Sequence, residues 1–326
     1  MKVVITVYCA IFSLWLISYA HGENRTLSFV LQACQNDNLD IIKNFVAIKQ
    51  SNLNKEIKIK GIDKPVSLLC LASNANSTNI VKYLASQPDI KFTSKKNGLN
   101  ALHLAAIKGH NEIIQILLNY KSKININEQD ENDSLTALTH AAYNGHDAVV
   151  TSLLEAGASI FMKGKEGTTA LNLAIIKGHR MVVKILLQHQ HASTLVNQNC
   201  QNGILPLTMA ARCGRLEIVY DFIAAGATTR VGDALHEAIK FDHGEIITIL
   251  LSAGVDINAL STQCGRSPLS IAILLQQNQT AKFLHQCGAK IKARHTAPVV
   301  DPIHYLITSD HEIQHTLVST TMPSHK

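Results

Sequence analysis

The sequence predicts an all-α solenoid: stacked helix-turn-helix units joined by β-hairpin loops. Three observations predict it. One pattern of apolar and small residues returns nine times at intervals near 34 residues. Within each copy, the apolar residues follow helical rather than strand spacing. Aromatic residues make up only 5% of the 326, with one tryptophan, Trp15, while 46% are hydrophobic. A core built from such a chain is aliphatic, which suits packed helices better than a β-sandwich.

The chain opens with Lys2 and an apolar run from Val3 to Ala20. Ala20-His21-Gly22 then sets small residues three and one positions before Glu23. This order reads as a secretory signal peptide over residues 1–22, cleaved after Gly22. The rival is an uncleaved membrane anchor, since about 18 apolar residues approach the length of a span. Removal of the signal takes Cys9 and leaves Cys34, Cys70, Cys200, Cys213, Cys264 and Cys287. An even number permits disulfides in an exported chain, and Cys264 with Cys287, in loops of neighbouring units, is one candidate pair. Asn24, Asn76, Asn132 and Asn278 open Asn-x-Ser/Thr sequons, relevant if the chain passes a eukaryotic secretory route.

The array follows, over residues 23–318. NALHLAAIKGHNEIIQILL from Asn100, TALTHAAYNGHDAVVTSLL from Thr136 and TALNLAIIKGHRMVVKILL from Thr169 align without gaps. LPLTMAARCGRLEIVYDFI from Leu205, DALHEAIKFDHGEIITILL from Asp233 and SPLSIAILLQQNQTAKFLH from Ser267 keep the template. The first two copies, from Ser28 and Ser67, are degenerate, as are the last two, the one from Ser267 and a damaged ninth that begins near Asp301. The third residues of the copies, from Val30 to Ile303, lie 39, 33, 36, 33, 36, 28, 34 and 34 residues apart. Residues 319–326 read as a disordered tail.

Each template position has a physical reason. Eight of the nine first residues (Leu205 being the exception) are Ser, Thr, Asn or Asp, whose side-chain oxygen caps a helix N-terminus. Proline or alanine follows in seven of the nine copies, both suited to the first turn. Small pairs such as Ala105-Ala106 let inner helices approach closely. Gly109-His110, Gly145-His146 and Gly178-His179 then mark the turn, where glycine takes the left-handed conformation without steric cost. Asp37, Asn76 and Asp242 tolerate such turns, while Gln276-Gln277 departs from the pattern. Outer helices carry I-I-x-x-L-L or V-V-x-x-L-L, one broad apolar stripe. No unit buries that stripe alone, so the units stack. The longer intervals hold extra loop residues in Tyr120–Ser134 and His189–Asn202. The short one implies a truncated hairpin around Thr228–Gly232 and a kink there.

This repetition resembles the ankyrin repeat, with its T-P-L-H-x-A-A-x-x-G-H core, over roughly residues 27 to 318. The resemblance implies a scaffold that grips partner proteins, with no catalysis, no cofactor and no metal. It places the partner-binding concave face on hairpin tips and inner-helix exits. The positions carried over are Lys95, Lys96, Lys163, Lys165, Arg230 and Arg266 at the tips, and Lys108, Tyr143, Asn144, Lys177 and Arg212 at the exits. Tyr143 and Arg212 are of types favoured at binding hot spots. A monomer binding proteins of unknown identity is expected, in an exported setting such as that of an effector meeting host proteins.

Two features compete with that reading. HEIQH, from His311 to His315, has the spacing of a zinc-protease helix, with two imidazoles one turn apart and a glutamate beside the metal-bound water. Set beneath GHNEII and DHGEII, it is the turn and outer-helix start of the ninth copy, one residue short. Too little chain follows to supply a third ligand in the usual way. His189 and His191 in QHQH offer at most weak surface metal binding. Net charge is +6, in pairs such as Lys95-Lys96 rather than runs, so a solvated surface is expected and not a nucleic-acid site.

Overall fold

A computed structural model describes residues 22–49, 54, 67–92, 99–198, 204–227 and 233–292. The signal segment before Gly22, the ninth copy with HEIQH and the tail lie outside the described residues, as do Lys95, Lys96, Arg230 and the short hairpin with its expected kink. The chain divides into two compact units, Met1–Leu186 and Leu187–Lys326.

The first unit holds five helix pairs: α1 (Gly22–Gln35) with α2 (Leu39–Lys49), α3 (Leu68–Asn74) with α4 (Thr78–Ala85), α5 (Ala101–Lys108) with α6 (Asn111–Leu118), α7 (Ala137–Asn144) with α8 (Asp147–Glu155), and α9 (Ala170–Lys177) with α10 (Arg180–Gln188), whose last residues reach the unit's edge. The second holds α11 (Ala192–Asn197), then α12 (Pro206–Arg212) with α13 (Leu216–Ala224), α14 (Asp233–Lys240) with α15 (Gly244–Ser252), and α16 (Pro268–Leu274) with α17 (Asn278–Gln286). Within each unit, inner helices pack on inner and outer on outer. The predicted stripes form the core: Ile113, Ile114, Leu117, Val150 and Leu153 are fully buried in the first unit, Val219, Phe222 and Leu250 in the second.

The caps fall largely where expected. Ser67, Asn100, Thr136, Thr169 and Ser267 each accept the backbone N–H three residues on. Two differ. Ser28 lies inside α1, which starts earlier than the repeat template does. Asp233 turns its carboxylate to the next loop, accepting from Thr262 N (2.9 Å) and Thr262 Oγ1. The turn glycines Gly109, Gly145 and Gly178 take positive φ, and so do Asp37, Asn76 and Asp242. Gln276, the departure in sequence, adopts φ 58° like the rest.

Three further observations concern the connections. No regular strand occurs among the described residues; the hairpins are turns closed by single bonds such as Asp130 N–H to Leu135 O (2.9 Å) and Ser261 N–H to Arg266 O (2.9 Å). The insertion at His189–Asn202 is not plain loop: it contains α11, anchored by buried Leu195 and Val196. Cys264 and Cys287 are both free and exposed, not paired.

Candidate protein-binding face

Four turn histidines hold one repeat on the next. In each of these turns, an imidazole Nε2–H donates to a carbonyl at the end of the preceding inner helix. His110 reaches Asn74 O (3.2 Å), His146 Ile107 O (3.0 Å), His179 Tyr143 O (3.0 Å) and His243 Arg212 O (3.2 Å). These carbonyls are among the last four of their helices, which have no partner within the helix. Shorter reach serves too: Ser77 Oγ donates to Cys34 O, and Gln277 Nε2 to Ile239 O (2.8 Å). Gln277 therefore does the histidine's work in the copy whose sequence departs.

The same ring explains the glycine beneath it. A Cβ on Gly109, Gly145 or Gly214 would stand 2.5–2.6 Å from the imidazole of His146, His179 or His243. Glycine is needed both for its positive φ and for the space the next repeat's histidine fills.

A second set sits under the loops. Asn100 N–H donates to His103 Nδ1 (3.2 Å), so Nε2 carries the proton and donates to Glu128 O (2.9 Å). Burial first, then the facing His140, pushes the His103 pKa down to about 4. Asp130 accepts from His140 Nε2 at 2.7 Å. Its burial alone would raise the carboxyl, but the Asp133 N–H and His140 outweigh that and hold it below its usual value. Both nitrogens of His103 are engaged, and the cluster holds loops rather than facing an open cleft. His236 repeats the contact, Nε2–H to Arg266 O (3.0 Å). The rings of His189 and His191 lie tilted by 41°, with centroids 5.6 Å apart. Among the described residues, no three His, Cys, Asp or Glu side chains gather as metal ligands.

With those groups accounted for, the inner-helix exits remain as the accessible chemistry. In the first unit, Lys108, Tyr143, Asn144 and Lys177 are all exposed. Lys177 Nζ lies 4.4 Å from the centroid of the Tyr143 ring, a cation–π contact that orders both. Asn144 folds back to its own helix, donating to His140 O (2.9 Å). The tips behave differently. Lys165 Nζ donates to Asn132 O and its N–H to Asp133 O (2.9 Å), which ties one tip to its neighbour. Lys163 is exposed, and its carbonyl accepts from Gln129 (2.8 Å). The structure thus brings Tyr143 and Lys177 together and gives Lys165 an internal task.

In the second unit, Arg212 is exposed and Arg266 half-buried. Arg212 Nε stands 3.8 Å from the Glu237 carboxylate, and its guanidinium lies 5.6 Å from the Phe241 ring centroid. Phe241, Leu274 and Leu275 are exposed there at 48%, 40% and 47%. Sequence reasoning missed these three. The signal was present: they occupy the same two template positions as Tyr143 and Asn144, in the copies from Asp233 and Ser267.

The family profile described as ankyrin repeats (3 copies) matches residues 30–130, 68–164, 122–197, 138–233 and 223–295. The chain belongs to the ankyrin-repeat family. Its relatives include the nuclear factor NF-kappa-B p105 subunit of Gallus gallus, 29% identical over 232 residues, covering 67% of this chain and 23% of that protein. The NF-kappa-B inhibitor cactus of Drosophila melanogaster is 33% identical over 135 residues, 40% of this chain and 26% of cactus. The transient receptor potential cation channel subfamily A member 1 of Homo sapiens is 25% identical over 267 residues, 68% of this chain and 24% of the channel. The chain spans about a quarter of the length of these curated relatives.

Proposed function

We propose that this ankyrin-repeat chain is a non-catalytic scaffold that binds partner proteins through its inner-helix exits, and that residues 1–22 direct its export. The observation that carries the binding reading is selective exposure. Caps, turn histidines and glycines are spent on stacking, while Tyr143 with Lys177, and Arg212 with Phe241, stay at the surface as ordered aromatic–cation pairs. Such residues gain more from burial against a partner than flexible lysines do. The relative cactus is by its name an inhibitor of NF-kappa-B, a protein that acts on another protein. Export followed by action on host proteins, as an effector, is the setting in which a signal segment and an ankyrin array make joint sense.

Affinity capture with the chain tests the first part. A partner retained by the wild type and lost by Tyr143→Ala with Lys177→Glu supports it; a partner indifferent to both contradicts it. N-terminal sequencing of the exported chain tests the second part. A start at or near Glu23 supports cleavage, whereas an intact Met1 in a membrane fraction makes the chain a tethered adaptor.

A further inference from the structure

The second unit carries a surface that its own stacking does not explain. Phe241 follows α14, and the next repeat, α16 with α17, is in place beyond it. Phe241 nevertheless stays 48% exposed. Its template position in the next copy is Leu275, also exposed at 47%. A following repeat does not cover this position, so exposed apolar side chains here are not stacking contacts awaiting a neighbour. Neighbouring inner helices lie about 10 Å apart, which gives a row of two apolar anchors.

The row is braced. Phe241 stacks on His243 (18° between planes, 6.3 Å between centroids) and carries Arg212 over its ring. Glu237, with its side chain only 6% exposed, holds Lys240 Nζ at 2.6 Å and Arg212 Nε at 3.8 Å. A carboxylate so buried needs its cations, and it fixes both beside the aromatic ring. Lys240 also donates to Gln263 Oε1 (3.1 Å). The neighbouring acid, Asp242, turns to Thr280 Oγ1 (3.2 Å). One buried carboxylate thus faces two partly exposed cations, so these three groups carry a net positive charge beside the apolar row, while Asp242 keeps its own charge on the side of α17.

We infer that Phe241 and Leu275, flanked by Arg212 and Lys240 on the Glu237 bracket, form a docking row for an acidic, apolar segment of a partner protein. The occupant sets an aromatic or large aliphatic side chain on Phe241 or Leu275 and an Asp or Glu beside Arg212 or Lys240. Ordering of the cations before binding lowers the entropy lost on association. The inference rests on the scaffold reading and names the partner chemistry at one part of it.

A displayed library of random peptides, selected on the immobilised full chain, tests it. Enriched peptides should pair an apolar residue with Asp or Glu. They should bind Phe241→Ala at least about tenfold more weakly, weaken with Arg212→Gln and with added salt, and ignore Tyr143→Ala. Phe241→Ala should leave the helical circular dichroism unchanged, because the ring is half exposed. Enriched peptides without acidic residues, peptides insensitive to Phe241→Ala, or no enrichment would each overturn the inference. Peptides that depend instead on Tyr143 would overturn it while leaving the scaffold reading intact.

Discussion

Replacing Gly145 by alanine should show how tightly one repeat is keyed to the next. Gly145 has φ +75°, a conformation that costs an L-residue about 1–2 kcal/mol. Its new Cβ would also stand 2.5 Å from Nδ1 of His179, so the ring must swing away. That movement breaks the 3.0 Å bond from His179 to Tyr143 O, worth about 0.5–1.5 kcal/mol net. The expected loss is therefore about 2–3 kcal/mol. Gly157 is an internal control: its φ is +95°, and a Cβ there meets nothing within 4 Å. Gly157→Ala should cost the conformational part alone, about 1–2 kcal/mol. Urea denaturation of Gly145→Ala, His179→Ala and the double variant measures the coupling. Once His179 is gone, Gly145→Ala should cost no more than Gly157→Ala, leaving about 1 kcal/mol of coupling between the sites. Strict additivity, or equal costs for Gly145→Ala and Gly157→Ala in the wild-type background, would refute the keyed-turn reasoning.

Acid should weaken the array. His103 titrates near 4 in the fold against 6.5 when free, so the folded state binds fewer protons. Its stabilising contribution is whole above pH 6.5 and falls as pH drops towards 4, by about 3 kcal/mol in all. Asp130, held below its usual value, extends the loss to lower pH. Urea midpoints taken from neutral pH down to 4 should fall, and His103→Thr, the residue found at this position in the copies from Thr136 and Leu205, should flatten the profile. Among the thiols, Cys34 is buried and pushed up to about 12 by that burial and by Asp37, whereas Cys264 and Cys287 are exposed. Mass-resolved alkylation should label the latter two first and Cys34 only on unfolding. Gln277→Ala should destabilise by about 1 kcal/mol through the orphaned Ile239 carbonyl, and Gln277→His should recover it, read from denaturation midpoints.

What the sequence made legible was local. Ser67, Asn100, Thr136, Thr169 and Ser267 cap helices through contacts three residues away, and Gly109 or Gly145 ends a helix by its own backbone. The stripes of α6 and α8 were readable for the same reason. Contacts made across repeats were not. That Gln277 substitutes for histidine, and that Asp233 reaches Thr262 rather than capping, depends on partners 38 and 29 residues away. α11 escaped because its short run, Ala192–Asn197, has too few apolar residues to show a period. For the residues expected at a binding face, residue type was a partial guide to exposure. Tyr143, Lys177 and Arg212 are exposed and clustered with rings, but Lys165 proved to be a loop tie. Phe241 was overlooked although it holds the template position of Asn144, one of the residues expected at the face.

The central claim is that the exits bind protein. The most direct measurement is the affinity of a captured partner for the full chain and for three single variants by titration calorimetry. Tyr143→Ala and Phe241→Ala remove exposed exit rings, and Tyr220→Ala removes a still more exposed ring, 60%, from an outer helix. The account predicts that at least one exit variant costs about tenfold or more in affinity while Tyr220→Ala stays within experimental error of wild type. Full affinity in both exit variants, with loss in Tyr220→Ala, would place the interface on the outer helices and contradict it.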